Sequence, residues 1–250
     1  MTEMIDKSLV RERFRQSLDT YDESAVVQAK MAQKLSELIE VHRSPIVGRA
    51  LEIGAGSGML SKHLPHAQIE QMWVNDLVDE SMPVIEQIRP GFSPLSGDIE
   101  QLELPEDLDL ILSGSTFQWL SDPKAFFHKL HDHLVPRGLL CFSTFGPDNC
   151  REVRELSGQG LPYMTLEEHL ELLADFDCLH AEQIHYPMYF DNARKVLGHL
   201  KRTGVNGLQK RPWSITKVIK FQRQYDQQFR DEKGVRLTYH GMFFVLKKRS

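Results

Sequence analysis

The 250-residue chain predicts an α/β fold: a mostly parallel sheet with helices on both faces and a helical cap inserted before the last strand. Three observations carry this expectation. Strand-like and helix-like segments alternate over residues 46–145, the pattern of a parallel sheet whose crossovers are helices. The apolar run ALEIGA exits directly into a turn holding Gly54, Gly56 and Gly58. Near the end of the chain, two further strand-like segments flank a basic helical stretch.

Taken in order, Val27, Met31, Leu35 and Leu38 recur at helical spacing and predict an amphipathic helix over about 24–42. RALEIGA is a short buried strand, and the glycines form its exit turn. QMWVND is a second strand, followed by helical DESMPVIEQIR despite Pro83 in its first turns. FSPLSGD and LDLILSGS supply a third and a fourth. Asp122 before Pro123 is a helix start, with Asp as N-cap and Pro at the first helical position. Phe126, Phe127, Leu130 and Leu134 give that helix its buried face, and VPRG is expected to stop it. LLCFSTF is a fifth strand. Thr165 and Glu168 have capping-box spacing ahead of HLELLADF. CLHAEQIHYPMYF and VRLTYHGMFFVLKK bring the expected sheet to seven strands. No internal repeat, low-complexity segment or linker divides the chain.

Composition narrows the function classes. No apolar run approaches the roughly 20 residues that cross a bilayer, and MTEMIDKSLVRERF lacks the apolar stretch of a signal peptide. Cytoplasm is the expected location. Cys141, Cys150 and Cys178 are odd in number and far apart, which argues against a disulfide framework or a Cys-x-x-Cys site. The net charge of −5 hides an asymmetry: residues 194–236 hold twelve Lys or Arg against three acids. A basic face on an acidic protein suits a localised anionic partner, although lysine-rich solvated helix faces would give the same count. His128, His131 and His133 share one helix without a completing carboxylate, so no metal site is expected.

Glycines without Cβ atoms permit a tight turn and close backbone approach to a ligand. Gly-x-Gly-x-Gly alone is a weak signal, because dinucleotide sites favour Gly-x-Gly-x-x-Gly. The surroundings discriminate. Glu52 sits just ahead of the turn, where an acid repels a pyrophosphate and suits a cation. Asp76 ends the second strand, where a carboxylate can accept from both ribose hydroxyls. Asp98 ends the third, within reach of an exocyclic amine. Each alone could be turn chemistry; three at successive strand ends point to one site.

Over about residues 50–145 the ensemble resembles the class I S-adenosylmethionine-dependent methyltransferases, of Rossmann-like fold. LEIGAGSG matches their first motif, Asp76 the ribose-binding acid and GDIE the adenine-contacting acid. The resemblance implies S-adenosylmethionine as cofactor, S-adenosylhomocysteine as product, and a cofactor set of Glu52, Gly54, Gly56, Gly58, Asp76, Leu77, Asp98, Ile99 and Ser113. The fourth strand leads into SGSTFQWLSD, without the Asn/Asp-Pro-Pro-aromatic motif of base-modifying amino methyltransferases.

TYDESAVVQ, STFQWLSDP, FSTFGPDNCREVREL, LGHLKRTGVNG and LTYHGMFFVL together resemble the malonyl-[acyl-carrier-protein] O-methyltransferases of biotin synthesis over nearly the whole chain. In the first motif, Glu52, Ala55 and Ser57 depart conservatively from that family's more usual Asp-x-Gly-Cys-Gly-Thr-Gly. The resemblance implies methylation of the free carboxyl of a malonyl thioester on acyl carrier protein or coenzyme A. That carboxyl, with a pKa of about 4, is ionised at neutral pH and needs no general base. Tyr21 and Gln118 are the expected positioning residues. Trp119, Arg154, Tyr239 and His240 are expected on the acceptor side, and Lys201, Arg202, Lys210 and Arg211 in a carrier-docking patch. The expected organisation is one domain: a helical lid (1–45), a cofactor-binding core (46–148) and an acceptor half (149–250) with a basic insertion at about 190–232. Alternatives are a methyltransferase of another small molecule, a quinone or small acid, and a non-catalytic cofactor-binding module. A nucleic-acid binder lacks interleaved stacking aromatics and would carry a repelling acidic remainder; neither nucleic acid nor membrane is an expected partner.

Overall fold

The computed structural model describes residues 5–64, 66–204 and 213–250. The chain opens with two helices where one was expected. Helix α1 (Lys7–Ser24) is capped by Asp6, which accepts from the Leu9 amide, and the path breaks at Ala25 before α2 (Val26–His42). The predicted apolar stripe of α2 is buried. A second stripe in α1, Val10, Phe14, Leu18 and Tyr21, has the same helical spacing but faces a cleft.

Strands β1 (Val47–Ile53), β2 (Ile69–Asp76), β3 (Ser93–Ser96), β4 (Leu108–Gly114) and β5 (Leu134–Phe145) pair in parallel in the order β3-β2-β1-β4-β5. The sheet continues through antiparallel β8 (Gly234–Lys248) to β6 (Phe176–Phe190). A two-residue β7 (Arg230–Asp231) folds back on the start of β8, so the sheet has eight strands, one more than expected. So short a strand carries no alternating pattern to read. VPRG does not end the preceding helix in a loop; it forms the irregular first part of β5, with Arg137 at φ 69°.

Both sheet faces are covered. Met31, Leu35 and Ile39 of α2 pack with Ala50, Val74, Leu112 and Phe243 on one face. On the other, Phe126, Phe127 and Leu130 of α4 (Pro123–His133) pack with Leu51, Ile53, Ile111 and Phe142. Two-sided burial is why the parallel strands read as near-continuous apolar runs. Asp122 caps α4 by accepting from the Ala125 amide, and Thr165 and Glu168 form the expected capping box of α6 (Leu166–Leu172).

Strands β6 and β8 run past the end of β5, where Phe145 pairs with Gly241, and form a two-stranded extension. Helices α7 (Ala193–Arg202) and α8 (Ile215–Gln228) cover its apolar side: Val196, Leu200, Phe221 and Tyr225 pack with Val235, Leu237 and Tyr239. The short α5 (Arg151–Ser157) lies along the edge of β8 beyond the end of β5, where buried Glu152 accepts from the Thr238 amide, the Thr238 hydroxyl and Arg236. This cap meets α1, whose Ser24 hydroxyl accepts from Arg202 at 3.0 Å.

Candidate active site

Strand order reverses at β1, which lies between β2 and β4, and ligands of open α/β sheets bind at the carboxyl ends of strands beside such a point. A cleft opens there. Its floor is the chain leaving β1, β2 and β4. Its roof is α1, which contributes Val10, Phe14, Leu18 and Tyr21, and Trp119 forms a side wall.

The glycine turn is held by its neighbours. The amides of Gly54 and Ala55 both donate to the Asn75 carbonyl, at 2.9 and 3.0 Å. Gly56 and Gly58 both have positive φ, 56° and 76°, but for different reasons. A Cβ on Gly56 would meet nothing within 4 Å and would project into open space in a residue that lines the cleft. A Cβ on Gly58 would lie 2.4 Å from Ile88, at the end of α3 (Met82–Ile88). Gly58 therefore serves packing and is absent from the cleft wall.

Three acids line the cleft. Asp76 is buried; one carboxylate oxygen accepts from the Gly56 amide at 2.7 Å and the other from the Val78 amide at 2.8 Å. Burial pushes its carboxyl up to about 6 against those amides. Glu52, also buried, accepts from the Ser61 hydroxyl, and burial pushes it up to about 7, with Ser61 and the Arg89 charge opposing. Asp98 is partly exposed; its Oδ1 accepts from the Glu100 amide and from Lys7 of α1, both at 3.2 Å, while Glu100 pairs with Lys7 at 2.7 Å. Oδ2 of Asp98 has no protein partner among the described residues.

The cleft's chemistry fits a cationic nucleoside. Beyond the acids, four buried polar atoms on residues of its walls have no hydrogen-bond partner among the described residues: Gln28 Oε1, Ser57 Oγ, Ser81 Oγ and Trp119 Nε1. Uncompensated buried polar groups are costly, so such a cluster marks where another molecule completes the bonding. Tyr21 adds a phenol whose proton is held by burial and by the charges of Asp22 and Asp76, well above the usual range.

Of the expected site residues, the cleft gathers Tyr21, Glu52, Gly54, Gly56, Asp76, Leu77, Asp98, Ile99 and Trp119. It does not gather the others. Ser113 is wholly buried and donates to the Ile53 carbonyl, so it ties β4 to β1; Ser115 and Thr116, two and three residues on, line the wall instead. Gln118 donates to the Ser115 carbonyl at 2.6 Å and accepts from Thr144, which engages both ends of its amide. It braces the Ser115 turn, where φ is 55°. Tyr239 is wholly buried in the cap, its hydroxyl 2.7 Å from His199 Nε2. His240 accepts from the Asp148 amide and meets Gln183 at 3.0 Å. Arg154 is outside the cleft wall, near Tyr163, and donates to the Pro147 carbonyl. Lys201 is exposed on α7, Arg202 is tied to Ser24, and Lys210 and Arg211 lie outside the described residues. Reading by residue type missed Lys7 and the α1 stripe, although the stripe's i, i+4 spacing was visible.

A family model described as "Methyltransferase domain" matches residues 51–142. The structure is similar to that of the N-methyltransferase NodS from Bradyrhizobium japonicum in complex with S-adenosyl-l-homocysteine, with a TM-score of 0.58 and 14% identity over 96% of this chain and 99% of that one. The strand order, the three acids of the cleft and the matched domain define a class I S-adenosylmethionine-dependent methyltransferase; the likeness to NodS shows the shared fold. The chain is 40% identical to a malonyl-[acyl-carrier protein] O-methyltransferase from Chlorobium phaeovibrioides, over 100% of this chain and 99% of that protein. It is 39% identical to one from Prosthecochloris aestuarii, over 98% and 95%. The chain belongs to the malonyl-[acyl-carrier protein] O-methyltransferase family.

Proposed function

We propose that the chain methylates the free carboxylate of a malonyl thioester carried on acyl carrier protein, and accepts malonyl-coenzyme A as a surrogate. The observation that carries this reading is the likeness to proteins of that name over the full chain, cap included. S-adenosylmethionine supplies a methyl group activated by a sulfonium.

The Asp76 carboxylate would accept from ribose hydroxyls, and Asp98 Oδ2, beside Leu77 and Ile99 in the cleft wall, would accept from an adenine amine. Glu52 would answer the positive charge of the donor, and Gly56, where a Cβ would enter open space, would let the donor approach the backbone. On the acceptor side no base is required, because a carboxylate is already ionised. Tyr21 keeps its proton and so donates a hydrogen bond; it cannot take a proton from anything. Val10, Phe14, Leu18 and Trp119 exclude water, which strengthens an oxygen nucleophile that water would solvate. An anion entering an acid-lined cleft needs a counter-charge. Arg154, with no carboxylate ion pair among the described residues and near Tyr163, would provide it. Neither nucleic acid nor membrane takes part in this reading. The setting proposed is the cytoplasm. The domain reading is likewise of one unit, with α1 as lid and the extension of β6 and β8 as acceptor cap.

The test is incubation with methyl-labelled donor and, separately, malonyl carrier protein, malonyl-coenzyme A and free malonate, read by mass spectrometry. A methyl ester on the carrier-bound malonyl group, formed faster than on free malonate, is the expected result. Label transfer to another small acid or quinone alone, or no transfer, would overturn it.

A further inference from the structure

Helix α8 buries one side against the cap through Phe221 and Tyr225 and leaves the other uncovered. Helical geometry puts Ile215, Ile219, Lys220 and Arg223 together on that outer side. Ile215 is 80% exposed and Ile219 53%, an adjacent pair of large apolar side chains set among cations. Lys220 and Arg223 are exposed as well, and no acid among the described residues is ion-paired with either. The acid nearest them on the helix, Asp226, is engaged by the Ala193 amide at 2.8 Å and by Arg230. Lys217 points elsewhere, over the Trp213 ring. An apolar centre with a rim of one charge is the anatomy of a protein-docking surface rather than of a solvated helix face.

We infer that this face of α8 docks the acidic helical carrier that presents the malonyl thioester, with Ile219 as apolar anchor and Lys220 and Arg223 as the rim that orients it. The inference rests on the proposed function and gives its partner a place, one the charge count alone had assigned to Lys201, Arg202, Lys210 and Arg211. Charge complementarity selects this occupant: the excess of cations falls within residues 194–236, and the rest of the chain carries net negative charge. The position suits delivery to the cleft. Helix α8 packs on α7 and α5, and Gly204, just past α7, lies against Phe14 of the cleft roof.

The test compares Lys220→Glu/Arg223→Glu and Ile219→Asp with Val41→Glu, a change at an exposed apolar residue (76%) where α2 leads into the amino end of β1, the end of the parallel strands away from the cap. The two α8 variants should raise KM for malonyl carrier protein about tenfold or more. They should leave kcat and the KM for malonyl-coenzyme A within about twofold, and Val41→Glu should change neither. Calorimetric binding of the carrier, measured without donor, reads the surface independently of turnover. Binding by the parent chain that the α8 variants lose supports the surface even if no methyl ester forms, in which case only the functional reading fails. Transfer that the α8 variants leave unchanged, or slow equally for both acceptors, overturns the surface alone. So does loss of binding to phosphatidylglycerol vesicles, or of self-association, with carrier kinetics intact.

Discussion

The cofactor half and the cap differ in what their polar residues are for. Around β1, β2 and β4 the acids and glycines aim into open space, and several polar atoms stay unpartnered. In the cap, several buried polar side chains are matched within the protein: Glu152 with Thr238 and Arg236, His199 with Tyr239, Gln183 with His240. One region is built to be completed by a ligand; the other is built to hold its own shape and present surfaces. The two should therefore break differently.

The largest effect is expected from Glu152→Ala in the cap. It strands two buried donors of Thr238 and the Arg236 charge, at a cost of about 3–5 kcal/mol of stability. Urea unfolding should show this, while donor affinity of the folded fraction stays unchanged. Next comes Arg154→Gln at the boundary. Loss of its charge should raise KM for malonyl acceptors by about ten- to hundred-fold, the worth of a charge-assisted hydrogen bond, with product affinity unaltered by calorimetry.

Within the glycine turn the comparison sharpens further. Gly56→Ala should weaken donor binding by about tenfold and cost about 1 kcal/mol of stability, because its Cβ enters the cleft at positive φ. Gly58→Ala should instead lower stability by more than that, through collision with Ile88, with less effect on affinity. Melting curves and titrations separate the pair.

The smallest effect is with pH. Burial raises Glu52 to about 7 and Asp76 to about 6 in the free protein. A cationic ligand favours the ionised acids, lowers both pKa values in the complex and expels protons on binding. Affinity for the donor should be constant above about pH 8 and fall severalfold by pH 6. Titrations in buffers of different ionisation enthalpy would reveal the released proton near pH 6.5.

The same contrast explains what the sequence made legible. A ligand fixes residue types at fixed strand ends, so Glu52, Asp76 and Asp98 stood out at their spacing, as did the apolar strands buried on both faces. Cap residues obey no such spacing. Tyr239 and His240 were picked for their chemistry, yet their rings are engaged by His199, Gln183 and the Asp148 amide, partners distant in the chain. Ser113 failed by a narrow margin, its hydroxyl turned to β1 while the next two residues reach the cleft. The α1 stripe was readable, but its apolar residues resemble core and gave no sign that they roof a cavity.

The central claim is that Asp76 and its neighbours form one donor site at the carboxyl ends of the parallel strands. Calorimetric titration of S-adenosylmethionine into the purified chain and its Asp76→Ala variant tests it most directly. One site per chain, weakened at least about a hundredfold in the variant while the variant stays folded by circular dichroism, is the predicted result. No binding to the parent chain, or equal binding to both, would contradict it.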